Sequence, residues 1–383
     1  MKNFNYQNPT EIIFGNGRIK EIGELLEGRA KKVLLTYGKG SIKENGVFDI
    51  VTKSLKEHEI EYVEFSGIKP NPTLKKAQEG AELAKKEQVD GILSVGGGSV
   101  LDESKAIAIG ACYDGDLWDF YSKKAVPKKS IPIYAILTVP ATGSEMNPNG
   151  VITNEETKDK WGYRTPLNFP LFSILDPETT LSIPIKYTIL AGLDIMTHAM
   201  EAYFSKEDND SYILDRYVEA LVKSVLESLD RLVKNPRDLG ARENLMWTAT
   251  LAWNGLNHCG VGKFIIVNHV MEHPLSATYD ITHAAGLAAL IPASMKYYLE
   301  RYRTRLEQFG KNVFELSESE DLAERTITGF ENLFKKYNVA SNLTDAGIIN
   351  PDTNKLADLT MKLLGKTDLI TKEEIVSIYE LAK

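Results

Sequence analysis

Near Ser182 the spacing of apolar residues along this chain changes its period. Before that point, short β-rich runs alternate with helical stretches. Val33–Tyr37, Ile60–Phe65, Gly91–Val95, Ile133–Val139 and Leu171–Leu175 read as strands, while Thr73–Gln88 and Val100–Gly110 read as helices. Such alternation builds a parallel sheet covered by helices. Beyond it, Leu214, Val218, Leu221, Val225, Leu229 and Leu232 recur at helical spacing in one long amphipathic segment that stops before Pro236. Further helices are expected over 241–257, 264–277, 284–299, 320–337 and 353–364. The chain of 383 residues is too long for one typical core. Two domains are therefore expected: an α/β N-terminal domain over 1–181 with a parallel sheet, and an all-α C-terminal domain over 182–383. A cleft between such domains is a favoured place for a site.

Bulk properties exclude several classes of function. With 43% apolar and 26% charged residues, the composition is that of a soluble globular protein. A formal charge of -8, with lysines scattered in short pairs such as Lys31-Lys32 and Lys75-Lys76, speaks against a nucleic-acid partner, which needs a basic face. No apolar run approaches the ~20 residues of a membrane span. The polar stretch Met1–Pro9 lacks the apolar core of a signal peptide. Two cysteines, Cys112 and Cys259, form no metal-binding spacing and suit a reducing cytoplasm.

Glycine-rich turns follow the strands. Gly96-Gly97-Gly98-Ser99 joins a strand directly to a helix, where small residues let the backbone approach a phosphate and the helix N-terminus offers unpaired N–H groups. It is neither GxGxxG nor a P-loop, but three glycines in a row favour the phosphate reading over a bare turn. Gly38-Lys39-Gly40-Ser41 follows the first clear strand, where doubly wound proteins often hold an adenosine ribose. An acidic residue there would repel a 2′-phosphate; glycines, a hydroxyl and a lysine favour NADP(H) over NAD(H). The small, hydroxylated turn Pro140–Glu145 follows the fourth strand and could face the same cofactor.

Five of the six histidines lie between Asp194 and His283. Helical spacing puts Asp194 and His198 on one face, and His269 and His273 on another. The apolar neighbours of Asp194 suggest a buried helix, and a buried carboxylate needs a partner such as a metal. One aspartate with several imidazoles suits a divalent ion, Fe²⁺ and Zn²⁺ alike. Spacing alone leaves open the choice among His269, His273 and His283, the last lying beyond a break expected near Pro274. His258 reads as structural and His58 as exposed.

Together these motifs resemble the iron-containing (group III) alcohol dehydrogenases. The resemblance rests on Gly96–Asp102 followed by Lys105, Thr142-Gly143-Ser144-Glu145, Asp194-x3-His198 and His269-x3-His273-x9-His283, and extends to Phe14–Gly17 and Asn71-Pro72-Thr73. The Tyr37–Ser41 turn looks most like the branch of butanol dehydrogenases and NADPH-dependent aldehyde reductases. Carried over by position, the resemblance implies metal ligands at Asp194, His198, His269 and His283, with His273 a catalytic neighbour of substrate and nicotinamide. It implies pyrophosphate on Gly97, Gly98 and Ser99 with Asp102 nearby, and adenosine-side contacts at Gly38, Gly40, Ser41 and Asn71. Thr138, Thr142, Asn147, Val151 and Lys160 match positions lining the nicotinamide half. Val139 stands where a second threonine is often found, and Lys39 replaces a glycine.

The expectation is a metal-dependent oxidoreductase that interconverts primary alcohols and aldehydes by hydride transfer with NAD(P)H, acting in the cytoplasm as a homodimer paired through an edge strand near Phe4–Ile13. A metal- and NAD-dependent lyase of the dehydroquinate synthase kind shares the fold type, and a non-catalytic binding protein is the rival from a different class.

Overall fold

The computed structural model describes residues 1–204 and 211–383. It divides into two compact units: Gln7–Ile185 with Ser228–Asn254, and Met1–Tyr6 with Lys186–Glu227 and Gly255–Lys383.

In the first unit six strands form one parallel sheet. They are β1 (Glu11–Phe14), β2 (Lys32–Tyr37), β3 (Glu61–Phe65), β4 (Gly91–Gly97), β5 (Ile133–Val139) and, after the antiparallel hairpin of β6 (Asn149–Asn154) and β7 (Asp159–Arg164), β8 (Phe172–Leu175). The sheet order is β1-β8-β5-β4-β2-β3. The helices among them are α1 (Ile22–Leu26), α2 (Ser41–Glu44), α3 (Val47–Glu57), α4 (Leu74–Lys86), α5 (Gly98–Gly110) and α6 (Trp118–Tyr121).

Both faces of the sheet's centre are covered, which is why β2, β4, β5 and β8 are mostly apolar runs, whereas the edge strands β1 and β3 are partly exposed. Val33, Leu35, Leu93, Val95 and Ile136 pack on one face with Val51 and Leu55 of α3. Leu34, Ile92, Ile133 and Ala135 pack on the other with Leu101 and Ile107 of α5. The chain leaves β2 for β3 on one side and leaves β4 for β5 on the other, so the strand order reverses between β2 and β4. At such a switch point the loops beyond the strand ends part and leave a crevice. The turns after β2 and β4 are the two glycine turns.

The second unit is helical. Its elements are α7 (Ile185–Phe204), α8 (Tyr212–Lys234, which ends in the first unit and is followed there by α9, Leu239–Ala252), α10 (Val267–Tyr279), α11 (His283–Tyr297), α12 (Leu299–Asn312), α13 (Leu322–Lys336), α14 (Thr353–Leu364) and α15 (Lys372–Leu381). The stripe expected on α8 is buried at Val218, Val222, Val225, Leu229 and Leu232. Helix α7 is buried along nearly its whole length from Thr188 onward. Among the described residues no helix is long and apolar enough to cross a membrane.

One expected boundary moves. The break anticipated near Pro274 falls six residues later, because α10 runs through that proline to Tyr279 and ends at Asp280, in the left-handed region at φ 54°. Proline removes one helical donor, but Asp280 N–H still donates to Ser276 O and closes the last turn. His283 then opens α11.

Candidate metal centre and cofactor turns

The centre is built from three helices of the second unit. Asp194 and His198 project from one face of α7, His269 from α10 and His283 from the first turn of α11. Their atoms converge: Nε2 of His198, His269 and His283 lies 3.4, 3.6 and 3.8 Å from Asp194 Oδ1. The rings of His198 and His269 stack at 4.2 Å. Ligand atoms bonded at about 2.1 Å to one tetrahedral ion lie about 3.4 Å apart, close to the three distances measured from Asp194 Oδ1. One ligand atom each from Asp194, His198 and His269 already falls within 4.8 Å of the other two. The His273 ring stands apart, 6.0 Å from that of His283.

Electrostatics within the cluster are those of buried groups facing one another. Burial works to raise the Asp194 carboxyl, but His198, His269 and His283 around it hold it below the usual carboxylate range. Burial and the neighbouring His269 push His198 down to about 3, so its imidazole is neutral near neutral pH. His269 goes the other way, to about 10, because Glu201 and Asp194 outweigh its burial.

Two further carboxylates stand behind these histidines. Glu201 of α7 accepts from the backbone N–H groups of Asn268 and His269 at 2.7 and 3.2 Å, and its second oxygen lies 3.1 Å from His269 Nδ1. Glu272 of α10 pairs with His283 Nδ1 and accepts from the Ser276 hydroxyl. Both glutamates went unassigned in the sequence, although a signal was there. His198-Ala-Met-Glu201 and His269-Val-Met-Glu272 repeat the same His-x-x-Glu spacing.

Cofactor candidates all lie in the first unit. Gly97 is the N-cap of α5 and no side chain caps that helix, so the first N–H groups, at Gly98 and Ser99, are placed as an anion cradle requires. The glycines also have a packing reason. A Cβ on Gly97 would come within 2.9 Å of Val139, and one on Gly98 would collide with Thr142. On the adenosine side, Gly40 has φ 142° with nothing within 4 Å of a built Cβ, Ser41 begins α2, and Asn71 sits at φ 54°. Thr138 is buried on β5, Val151 lies on β6, and Lys160 is buried on β7 opposite Thr153.

Asp102, Thr142 and Asn147 are drawn into one network with residues the sequence left without a role. Lys105, fully buried on α5, donates to Ser144 O, Ser144 Oγ, Asn147 O and Asn149 O at 2.7 to 2.9 Å. Asp102 accepts from Ser144 Oγ at 2.7 Å and from Val151 N–H at 3.1 Å. Asn147 Nδ2 donates to Gly143 O at 2.8 Å, and Thr142 Oγ1 accepts from Ser144 N–H. Glu145 accepts from Thr250 of α9 at 2.6 Å. The loop after β5 is thus tied to α5 by a buried cation and a half-buried carboxylate.

The structural readings of the other histidines hold in part. His258 Nδ1 lies 3.1 Å from Asn257 Oδ1 and its ring 5.3 Å from that of Phe264. His58 is half-buried and paired with Glu27 at 2.6 Å.

Beside this network Glu103 is buried without exposure, and burial raises its carboxyl to about 8, with the Thr73 N–H and Lys76 only partly opposing. Between about pH 4.5 and 8 the folded chain retains a proton there that the unfolded chain has released. Stability from this group is therefore full below that window and lost as pH rises through it. Glu103→Gln, neutral at every pH, is expected to melt with the parent protein at pH 4.5 and several degrees above it at pH 9. Thermal scans across that range check this, and an offset that does not change with pH would refute it.

Comparison with known proteins places these features in context. The description "Iron-containing alcohol dehydrogenase" matches residues 9–177, and "Fe-containing alcohol dehydrogenase family, C-terminal" matches residues 188–383. The chain is 40% identical to the probable NADH-dependent butanol dehydrogenase 1 of Bacillus subtilis, over 99% of each chain. It is 35% identical to the NADPH-dependent aldehyde reductase YqhD of Escherichia coli, over the full length of both. A crystal structure of NADH-dependent butanol dehydrogenase A from Thermotoga maritima superposes with a TM-score of 0.96 at 42% identity, covering 100% of this chain and 99% of that one.

Proposed function

The chain belongs to the iron-containing alcohol dehydrogenase family, and from that premise we propose that it interconverts short primary alcohols and aldehydes, such as butanol and butyraldehyde, with NAD(P)H. The observation that carries this reading is the convergence of three imidazole Nε2 atoms on one buried carboxylate oxygen.

In this reading Asp194, His198, His269 and His283 hold one divalent ion, Fe²⁺ or Zn²⁺. When bound, the ion supplies Lewis-acid polarisation of the substrate oxygen, and the nicotinamide supplies the hydride. The chain's own residues do the rest. The N–H groups at the start of α5, with Gly97, Gly98 and Ser99, take the pyrophosphate. Lys105 and Asp102 fix the loop carrying Thr142 and Asn147, and Thr138, Val151 and Lys160 complete the nicotinamide side. His273 passes the alcohol proton between the substrate oxygen and solvent, a task suited to an imidazole near neutral pH.

NADP(H) is the favoured cofactor. Support comes from the Gly38–Ser41 turn, which carries exposed Lys39 and no carboxylate, and from Glu64, which is already engaged by Tyr37 Oη at 2.6 Å and Lys43 at 2.9 Å. The relatives' names include both cofactors. A cytoplasmic homodimer is part of the same proposal, supported by the edge position of β1.

The test is an assay of metal-analysed protein with butyraldehyde and a series of aldehydes, NADH against NADPH. Net cofactor consumption is expected, with the higher kcat/KM for NADPH. Absence of net consumption with every aldehyde overturns the reading, since a lyase regenerates its cofactor. In the same assay His273→Ala should keep its metal and turn over on the order of 10²-fold more slowly, with a flattened pH profile. An unaltered pH profile would remove His273 from the proton path.

A further inference from the structure

Among the described residues the metal cluster is backed by two carboxylates that nothing in the reaction itself requires. They are arranged in a chain across three helices. Glu201 stands one turn along α7 from the ligand His198, yet it faces His269 on α10. Glu272 stands one turn along α10 from His269, yet it faces His283 on α11. Each His-x-x-Glu pair thus supplies one ligand and the carboxylate that meets the ligand on the next helix.

A histidine presents one ring nitrogen as a lone pair only if the other carries the proton. A carboxylate at Nδ1 fixes that tautomer and the ring's orientation together. Here the Nδ1 atoms of His269 and His283 face Glu201 and Glu272, while their Nε2 atoms face Asp194 Oδ1. Glu201 adds a second constraint. Its other oxygen takes two N–H groups from the first turn of α10, so the helix start is held by the same side chain whose second oxygen stands 3.1 Å from the ring.

The sequence also makes room for Glu272. A Cβ on Gly286, within α11 three residues after His283, would meet Glu272 Cγ at 2.8 Å and Oε1 at 3.2 Å. Alanine is the better helix former at an interior position, so a glycine there needs a reason, and the carboxylate slotted against it is one. We infer that Glu201 and Glu272 are positioning residues of the metal centre, each setting the tautomer and aim of the ligand histidine on the next helix.

The inference rests on the metal reading, and the experiment separates the two. Metal-free protein is titrated with Co²⁺ as a spectroscopic probe, in competition with a chelator, for the parent chain, Glu272→Leu, Glu272→Gln, Glu201→Gln and Gly286→Ala. If the parent takes up no Co²⁺, the metal reading itself fails. Given uptake by the parent, Glu272→Leu is expected to bind 10- to 100-fold more weakly. Glu272→Gln, which can still accept from Nδ1–H, should recover part of that loss, and Glu201→Gln should lie in the same partial range. Metal-free Glu272→Leu is expected to melt below the parent, since the Ser276 hydroxyl and His283 Nδ1 lose a buried partner. In a His283→Ala background the same change should cost no further affinity, because the ligand it positions is absent. Gly286→Ala keeps the carboxylate but displaces it, so it should weaken Co²⁺ binding even should the leucine variant fail to fold. Parent-like affinity in Glu272→Leu, or in Gly286→Ala where the leucine variant does not fold, overturns the inference for Glu272. So does an equal loss with and without His283, and parent-like affinity in Glu201→Gln overturns it for Glu201.

Discussion

Asp194→Asn is expected to leave a folded protein with less than about a tenth of the parent's bound metal and at least about 10³-fold lower turnover, the loss of several kcal/mol of charge stabilisation. The reason lies in the geometry around one atom. Nε2 of three histidines faces Asp194 Oδ1 within 3.8 Å, and the carboxylate is nearly buried. Asparagine keeps the shape but removes the only charge among the four proposed ligands. Three neutral imidazoles in a buried site are then left to compensate a divalent ion. His269→Ala should deplete metal in the same way by removing a ligand at the centre of the histidine stack. Metal analysis beside circular dichroism checks both variants. Full metal content in either one would sink the ligand assignment.

The other large effect is expected at Lys105→Met, in the other unit. Methionine matches the length of the buried stem but supplies no donors, so three backbone carbonyls and the Ser144 hydroxyl lose their shared partner. Asp102 and Glu145 lose the cation that partly offsets their burial. Removing one member of a buried charge network typically costs about 3 to 5 kcal/mol, a large share of a folded chain's total stability. Burial lowers Lys105 itself to about 8, so at neutral pH the ammonium is still the prevailing form. The variant should unfold at a clearly lower urea concentration and show about a tenfold higher KM for the nicotinamide cofactor, since the loop that carries Asn147 is then tied to α5 only through Asp102. Bound metal should stay at the parent level, because the ligands lie in the second unit. Parent-like unfolding and cofactor KM would show that the network is dispensable.

Elements with strong patterns were legible from residues alone. Strands buried on both faces read as apolar runs, and β2, β4, β5 and β8 fall within a residue or so of their expected positions. The β6–β7 hairpin was not anticipated, because one side of each strand is polar and its turn, closed by Lys158 at φ 58°, contains no glycine. Helix α12 was also missed. Leu299–Asn312 is mostly polar, and only Tyr302, Leu306, Phe309 and Gly310 are buried. Helix α15 had a start signal that went unused, a capping box formed by Thr371 and Glu374.

At the site, spacing found the histidines but could not sort them. The pair His269 and His273 shares a helix face in sequence, yet it is His269 whose Nε2 lies 3.6 Å from Asp194, and His283 joins from another helix. What decides this is the left-handed residue Asp280, which ends α10 and turns the chain so that α11 begins at His283. No periodicity carries that information. Lys105, Glu145, Glu201 and Glu272 were hidden for a related reason: their partners lie on other elements, so their roles exist only once the chain has folded.

The four proposed ligands are not equally sheltered, and this gives the centre a direction. Side-chain exposure is 4 to 9% for Asp194, His198 and His269 but 24% for His283. In the proposed site, exchange of an ion with solvent is therefore expected to begin at His283, which is paired with Glu272 and seated on the first turn of a helix, where fraying is least costly. The other three ligands form a base that opens only with the packing around α7. In the proposed site, loading and loss of the ion are then expected to depend on the turn at Asp280 that starts α11 and on the Glu272 carboxylate behind His283.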